Sequence, residues 1–239
     1  MPVELWQSAT GITRNWQFLG DLQPYMLNFL ENHDEQRFAS DFFGKEAIRT
    51  MAPLYVSLYM STAPFMIYFG EEVGEKGMDE EGFSGKDGRT TIFDWWSISS
   101  IQRLRKVIKS GDYRSLDREK LTKAGMTAEE AEVFCRFAEA TRFAASDSAV
   151  REGTTYDLCY CNSGSEGFDK NRHFVFLRDH LDHTLLIAAN FSNKEASMEI
   201  MIPDHAFEWM GIPVTEDLYP GKKISISVAP MDAKIINLI

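Results

Sequence analysis

The chain is short of cysteine, of basic residues and of long apolar runs, and each shortage excludes a class of protein. Three cysteines in 239 residues cannot build a disulfide framework. The 36 acidic residues outnumber the 25 basic ones, and the formal net charge of -11 repels a phosphate backbone, so we expect no nucleic-acid partner. Apolar runs such as Thr184–Asn190 are far shorter than the roughly 20 residues that span a bilayer, so we expect no membrane partner.

The chain also lacks internal repeats, low-complexity segments and a recognisable targeting signal. Met1–Gly20 has no basic start, continuous apolar stretch or small-residue cleavage site, so we do not expect it to be a signal peptide, and no compartment is indicated. Trp16 and Leu19 belong to a helical apolar pattern that no capping residue precedes. We therefore expect the chain to begin within a longer protein.

What the chain does contain is an ordinary globular composition with many aromatic residues. Hydrophobic residues make up 44% and charged residues 26%, which excludes a disordered, collagen-like or coiled-coil chain. Aromatic residues reach 13%, with 17 Phe and 5 Trp. Such a content suits a large core, and it also suits sugar binding, in which flat rings stack on pyranose faces.

The first 150 residues have the pattern of a parallel sheet covered by helices. Two short apolar runs, Tyr25–Leu30 and Pro64–Phe69, each end in polar residues, and Gly44–Met60 between them has apolar residues at helical spacing. This strand, helix, strand order predicts a right-handed βαβ unit. Further helices are predicted over Ile98–Lys109 and over Thr127–Ala145, where Glu130 completes a capping box.

From about residue 150 the apolar period changes to two, which predicts an antiparallel β-sandwich over residues 151–239. No helical segment is expected between its strands. The predicted strands are Thr155–Tyr160, Arg172–Arg178, Thr184–Phe191, Ala196–Ile202, Val214–Leu218, Lys223–Val228 and Ala233–Leu238. The turns between them include Asn162–Gly167.

A polar cluster at the end of the first predicted strand is the strongest functional signal. Asn32, His33 and Asp34 follow the apolar run directly, and Arg37 comes three residues later. The carboxyl ends of parallel strands are where barrel enzymes place their catalytic groups. The other interpretation is a turn that caps the next helix.

Four segments together resemble the alpha-amylase family, glycoside hydrolase family 13. Phe29–Asp34 (FLENHD) resembles the family's last catalytic motif, on the seventh barrel strand, and Ala63–Gly74 (APFMIYFGEEVG) resembles the end of the eighth strand. Asp87–Trp95 (DGRTTIFDW) is similar to an Arg-containing loop that leads to a Trp, and Asn190–Ser192 (NFS) is similar to a strand end in the following sandwich.

The resemblance implies a fold and an activity. The fold would be the last two βα units of a (β/α)₈ TIM barrel within residues 1–150, a C-terminal portion of a catalytic domain, followed by a C-terminal β-sandwich over residues 151–239. The parent protein would act on α-glucosidic bonds of starch or malto-oligosaccharides, as a retaining hydrolase or a transglycosidase. Its partner would be an α-glucan.

The resemblance also implies roles for single residues. Asp34 would be the carboxylate that stabilises the transition state, and His33, Asn32 and Arg37 would bind the substrate. The family's nucleophile and general acid/base lie on earlier strands, and the 31 residues before Asn32 leave no room for them. The chain alone is therefore expected to be inactive, with no cofactor of its own, because the family's calcium-binding loops also lie upstream.

Replacement of the missing carboxylates by residues of this chain is not expected. Glu31 and Glu35 flank the motif, and alternation along a strand aims Glu31 away from Asp34. The pair Glu71-Glu72 is expected to contact Arg89 or to cap a loop. A turn-like polar hairpin is the expected structure of His180-Leu181-Asp182-His183, in preference to a metal site.

Other clusters are assigned to structure rather than chemistry. Cys159 and Cys161 are expected on one face of a strand, at a spacing that redox and zinc sites do not use. The acidic run Glu71–Glu81 is expected to be a solvated loop in preference to a calcium site. The glycine-rich segment Gly82–Gly88 lacks the Gly-Lys-Ser/Thr sequence with which a phosphate-binding loop ends. The pair Trp95-Trp96 either stacks on sugars or packs between barrel and helices.

Two other functions of the chain, and its self-association, stay open. The chain could be a non-catalytic carbohydrate-binding or structural module, or a catalytically dead amylase-like protein. The strands Tyr25–Leu30 and Pro64–Phe69 would lack neighbours on one side, and exposed edges favour self-association. We expect a dimer in preference to a monomer that covers its own edges.

Overall fold

The computed structural model describes residues 8–77, 87–93 and 98–239, which form two compact units that alternate along the chain. The first unit contains residues 8–28, 51–65 and 143–239, and the second contains the described residues of 29–50 and 66–142. The division near residue 150 that the sequence indicates stays a prediction. Among the described residues, no helix is long and apolar enough to cross a membrane.

A four-stranded antiparallel sheet is the largest element of the first unit, in the order β3-β4-β5-β8. Its strands are β3 (Thr154–Asp157), β4 (His173–His180), β5 (His183–Asn190) and β8 (Asp232–Asn237). Nearly every residue of β4 and β5 is buried, so both faces of these central strands are covered. Their sequences accordingly read as continuous apolar runs rather than as alternation.

A second antiparallel sheet pairs β6 (Ala196–Met201) with β7 (Lys223–Val228). Alternate residues of β6 are buried, as expected for a strand with one face on a core. Leu177 and Leu186 of the larger sheet share a single apolar core with Ile200 and Ile226 of the smaller one. The predicted strand pattern is therefore confirmed in most of its elements.

Two predictions within this region are wrong. A helix, α7 (Asp204–Met210), lies between β6 and β7, because Ala206 and Phe207 turn an apolar side to the core and Gly211 ends the helix with φ 73°. Val214–Leu218 is not a strand but a turn, which two hydrogen bonds close: the Thr215 N–H donates to the Leu218 carbonyl, and the Leu218 N–H donates to Thr215 Oγ1. The spacing of apolar residues alone does not show whether a segment as short as these is a strand, a helix or a turn.

Helices precede the strands of the first unit, and the short helix α6 (Ser148–Glu152) lies directly before β3. The chain runs through α1 (Thr10–Leu19), a 3₁₀ helix (Gly20–Tyr25) and then β1 (Asn28–Phe29), and α2 (Met51–Tyr59) precedes β2 (Phe65–Met66). The strands β1 and β2 pair with each other.

The predicted strands Tyr25–Leu30 and Pro64–Phe69 are thus far too long, and the predicted helix Gly44–Met60 begins only with a 3₁₀ turn at Ala47. Within the described residues β1 and β2 have only each other as strand neighbours, which leaves little to extend their ladder.

The second unit is mainly helical. It contains α3 (Ser99–Ser110), α4 (Arg118–Ala124), most of α5 (Ala128–Ser146) and 3₁₀ turns at Ala47–Thr50, Glu71–Val73 and Asp112–Ser115. The capping box before α5 is confirmed, since the Glu130 N–H donates to Thr127 Oγ1 and the Thr127 N–H donates to Glu130 Oε2. Val73, Leu104 and Leu121 belong to the core that these helices enclose.

Candidate functional site

The Asn-His-Asp sequence forms a tight turn shortly after β1. The side-chain oxygen of Asn32 accepts hydrogen bonds from the backbone N–H groups of Asp34 (2.8 Å) and Glu35 (2.9 Å). Such a side-chain-to-backbone bond pattern is the local preference of Asn in turns. The side chains of His33 and Asp34 are 55% and 75% exposed, with His33 Nε2 3.3 Å from Asp34 Oδ2. The turn therefore presents an imidazole and a carboxylate side by side to solvent.

Arg37, in contrast to the exposed His33 and Asp34, is buried. Its side chain is 0% exposed and donates from Nη1 to Glu31 Oε2 (2.7 Å) and from Nη2 to the Phe69 carbonyl (2.6 Å). A third bond runs from Nε to Thr90 Oγ1 (3.0 Å). The guanidinium carbon is 4.5 Å from the centre of the Tyr68 ring. Arg37 thus ties together three segments of the second unit, and it does not reach solvent as a substrate contact would require.

Glu31 is the buried partner of Arg37. Its other oxygen, Oε1, accepts the backbone N–H of Phe38 (2.6 Å). Burial raises the pKa of Glu31, whereas the charge and the hydrogen bond of Arg37 lower it. The carboxylate is therefore held inside the protein by one cation and one N–H. Its direction away from Asp34 stays a prediction.

Three more acidic residues surround the 3₁₀ turn after β2. Glu71 is buried, its Oε2 accepts the Tyr68 N–H (3.0 Å), and within the described residues its Oε1 has no hydrogen-bond partner. Glu72 accepts the Gly70 N–H (2.9 Å), and Glu75 accepts the Gly77 N–H (3.0 Å) and the Ser100 hydroxyl. The acids at 71 and 72 therefore cap a loop, one of the two expected outcomes.

The pKa values of these acids all move upward. Burial, followed by the negative charge of Glu31, raises the pKa of Glu71 well above its ordinary value. Burial also raises the pKa values of Glu72 and Glu75. The other expected contact is not seen, because the ion pair of Arg89 within the described residues is with Asp87, at 3.4 Å. Sequence reasoning missed this acid cluster around Arg37, although acidic residues next to apolar runs were its visible signal.

A family model described as alpha amylase, catalytic domain, matches residues 4–198, which is more than half of the chain. The chain belongs to the alpha-amylase family. No curated protein sequence matches it.

Three solved structures show the fold that this alpha-amylase-family chain shares. AmyP in complex with maltose is 17% identical, with a TM-score of 0.61 over 98% of this chain and 47% of AmyP. The acarbose-soaked debranching enzyme of Nostoc punctiforme is 17% identical, with a TM-score of 0.54 over 96% of this chain and 37% of the enzyme. The α-amylase of Geobacillus thermoleovorans, complexed with acarbose, is 12% identical, with a TM-score of 0.53 over 98% and 45%. The chain spans less than half the length of each.

The predicted hairpin of this alpha-amylase-family chain is confirmed. His180 and His183 face each other across a tight turn that joins β4 to β5. His183 Nε2 lies 2.8 Å from Asp147 Oδ2, and this bond raises the pKa of the imidazole. His180 lies 3.7 Å from Glu152. Among the described residues, no three His, Cys, Asp or Glu side chains are arranged to hold a metal ion. The absence of a cofactor stays a prediction.

The two neighbouring thiols lie in a turn, not on one face of a strand, because β3 ends at Asp157. Cys159 and Cys161 are both free. Burial raises the pKa of Cys161 to about 11 and that of Cys159 well above its usual range, so both thiols stay protonated. The solvated loop predicted over Glu71–Glu81 is wrong within its described residues 71–77, because Glu71 and Glu75 are buried. The rest of that loop, most of Gly82–Gly88, and both Trp95 and Trp96 lie outside the described residues.

Proposed function

We propose that the chain is the C-terminal part of a glycoside hydrolase that acts on α-glucosidic bonds of starch or malto-oligosaccharides with retention of configuration. In this proposal residues 1–150 supply the last two βα units of a TIM barrel and residues 151–239 a β-sandwich. The order β1, α2, β2 supports the first assignment, and two antiparallel sheets on one core support the second. The chain's share of its structural neighbours, below half, fits a partial barrel.

The exposed pair His33 and Asp34 is the observation that carries this proposal. Asp34 would stabilise the positive charge that develops on the sugar ring, and His33 would hydrogen-bond ring hydroxyls. Asn32 would hold the turn through its two backbone hydrogen bonds. Arg37, which is buried, would position the turn rather than touch the sugar.

The substrate class is inferred from the family and from ligands of the neighbours. AmyP was solved with maltose, and the Geobacillus thermoleovorans α-amylase with acarbose. Retention needs a nucleophile and a general acid/base about 5–5.5 Å apart. Glu31, Glu71 and Glu75 are buried and bonded within the protein, so they do not supply that pair. We therefore propose that the chain alone binds sugar and does not turn it over.

Activity and binding assays test this proposal together. Pure protein incubated with starch or a nitrophenyl maltoside should release no product. In an NMR titration with acarbose, His33→Ala and Asp34→Asn should abolish the perturbation of the turn, whereas Asp182→Asn, an exposed aspartate in the hairpin, should not. Turnover that Asp34→Asn removes would contradict the inactive-chain proposal. Unchanged titration in both turn variants would contradict the site.

A second candidate function is a non-catalytic carbohydrate-binding module. The exposed side chains of Tyr160 and Trp209 in the first unit favour it. A catalytically dead amylase-like protein gains no specific support from the described residues.

We also infer self-association of the chain. Phe18 and Tyr25 are 87% and 84% exposed, and Leu22 and Leu27 are also exposed. Four large apolar side chains within ten consecutive residues make an apolar patch of the kind that marks an interface.

A further inference from the structure

Four rings meet where β3 and the turn after it contact α7. Tyr156 lies at the centre, with its ring centre 6.3 Å from Tyr160, 5.8 Å from His205 and 5.9 Å from Trp209. Tyr156 is buried, whereas Tyr160 and Trp209 are 60% and 57% exposed. His205 and Trp209 are four residues apart on one side of the helix. Two large aromatic rings are thus held at the surface by a buried third.

The polar atoms of the cluster are joined in a chain. The Tyr156 hydroxyl is 2.7 Å from the Tyr160 hydroxyl and 2.8 Å from His205 Nδ1. Burial, followed by the hydrogen bond with Tyr160, raises the pKa of Tyr156, so its hydroxyl stays protonated and has one proton to donate.

The hydrogen bonds that join Tyr160, Tyr156 and His205 can be donated in either of two directions. When Tyr156 donates to His205 Nδ1, Tyr160 donates to Tyr156, which leaves His205 Nε2–H as a donor and the Tyr160 oxygen as an acceptor. When His205 Nδ1–H donates to Tyr156, Tyr160 keeps a free O–H and His205 Nε2 can accept. In both arrangements of the neutral imidazole, the cluster offers one donor and one acceptor.

This combination matches the chemistry of a sugar ring. A pyranose has an apolar face of C–H groups, which stacks on an aromatic ring, and adjacent hydroxyls that both donate and accept hydrogen bonds. Trp and Tyr side chains have a large apolar ring face, which can stack on the C–H groups of a sugar, and a polar N–H or O–H group, which can hydrogen-bond to its hydroxyls. A nucleic acid, whose bases would also stack, is repelled by the net charge of -11, whereas a neutral sugar is not.

We propose that Tyr160, Trp209 and His205 form a binding platform for an α-glucan. The platform belongs to the first unit, whereas His33 and Asp34 belong to the second, so it is a different site from the proposed reaction site. The ring and hydroxyl chemistry selects a sugar, and the choice of an α-linked glucan rests on the proposed function. Such a platform holds the chain on a polymer while needing no catalytic group.

Calorimetric titration of the full chain with maltoheptaose tests the platform. Tyr160→Ala and Trp209→Ala should each raise Kd about tenfold, because each removes one stacking face. Tyr219→Ala removes another exposed tyrosine and serves as the matched control, with no expected change. Far-UV circular dichroism of each variant confirms that the fold is kept.

The outcomes separate the platform from the proposed function. Unchanged Kd in both platform variants would overturn the platform, and loss of binding only in Asp34→Asn would do so while supporting the reaction site. Cellohexaose, a β-linked glucan, is the comparison ligand. If cellohexaose binds in a Trp209-dependent way and maltoheptaose does not bind, the α-glucan assignment and the proposed substrate both fail, although the fold assignment is untouched.

Discussion

Replacing Arg37 by methionine should destabilise the protein by about 3–5 kcal/mol, because it breaks a fully buried ion pair and strands its partner. Methionine keeps much of the side-chain volume but leaves Glu31 with a single N–H from Phe38. It also removes the hydrogen bonds to Thr90 Oγ1 and to the Phe69 carbonyl. The loss should be visible in urea unfolding of the full chain followed by far-UV circular dichroism.

The cost of Arg37→Met should depend on pH in a definite direction. Arg37 lowers the pKa of Glu31, so its removal raises that pKa further above the ordinary value of 4.5. When the pKa of an acid is higher in the folded protein than in the unfolded chain, the stability that the acid contributes is complete below its unfolded-state pKa. That contribution is lost as the pH rises through the folded-state pKa. The destabilisation should therefore be larger at about pH 8 than at about pH 4.5.

Two further variants make this prediction refutable. Arg89→Met is the matched control, because the Arg89–Asp87 pair is largely exposed and should cost less than about 1 kcal/mol. Glu31→Gln combined with Arg37→Met should recover part of the loss, since the carboxylate that pairs with Arg37 is then removed together with the arginine. A cost for Arg37→Met as small as that of Arg89→Met, or one independent of pH, would refute the reasoning.

Two more predictions follow from the acid cluster and the apolar patch. Glu71→Gln should stabilise the protein at about pH 8 and change little at about pH 4, because burial raises the pKa of Glu71 and its stability contribution is lost as pH rises through that pKa; equal urea midpoints for the two proteins at both pH values would contradict this. The chain should elute as a dimer in light-scattering chromatography, and Phe18→Asp with Leu22→Asp should return it to the 27.3 kDa monomer, whereas Val214→Asp, at an exposed position elsewhere, should not; a monomeric unaltered chain refutes the patch.

Local sequence was enough to predict several elements. The capping box at Thr127 and Glu130 marks the start of α5, because both partners lie within one turn of each other. The strand β7 agrees with its predicted bounds, and the hairpin between His180 and His183 forms where turn residues interrupt two apolar runs. The Asn32 turn is likewise a local matter, since its hydrogen bonds reach only two and three residues along the chain.

Motif pattern also carried the family assignment. The Asn-His-Asp sequence and the Gly-Glu-Glu sequence are specific as a pair, and the family match over residues 4–198 confirms what their resemblance implied at the level of family. The roles assigned to Asn32, His33 and Asp34 stay predictions, and so does the substrate-binding role of Arg37, whose burial favours a positioning role instead.

Tertiary structure alone decided which of the polar residues face solvent. Arg37 follows the motif by three residues in sequence, yet partners from positions 31, 69 and 90 enclose it, and no local pattern encodes that distance. The same is true of the ring cluster, where Tyr156 and His205 are 49 residues apart. Sequence by itself determined the local turns and caps, because their hydrogen bonds join neighbours along the chain. It also indicated the strand runs, because their apolar patterns are visible in the sequence. Burial, charge pairing and the lengths of β1 and β2 depend on neighbours in space, which only the fold supplies.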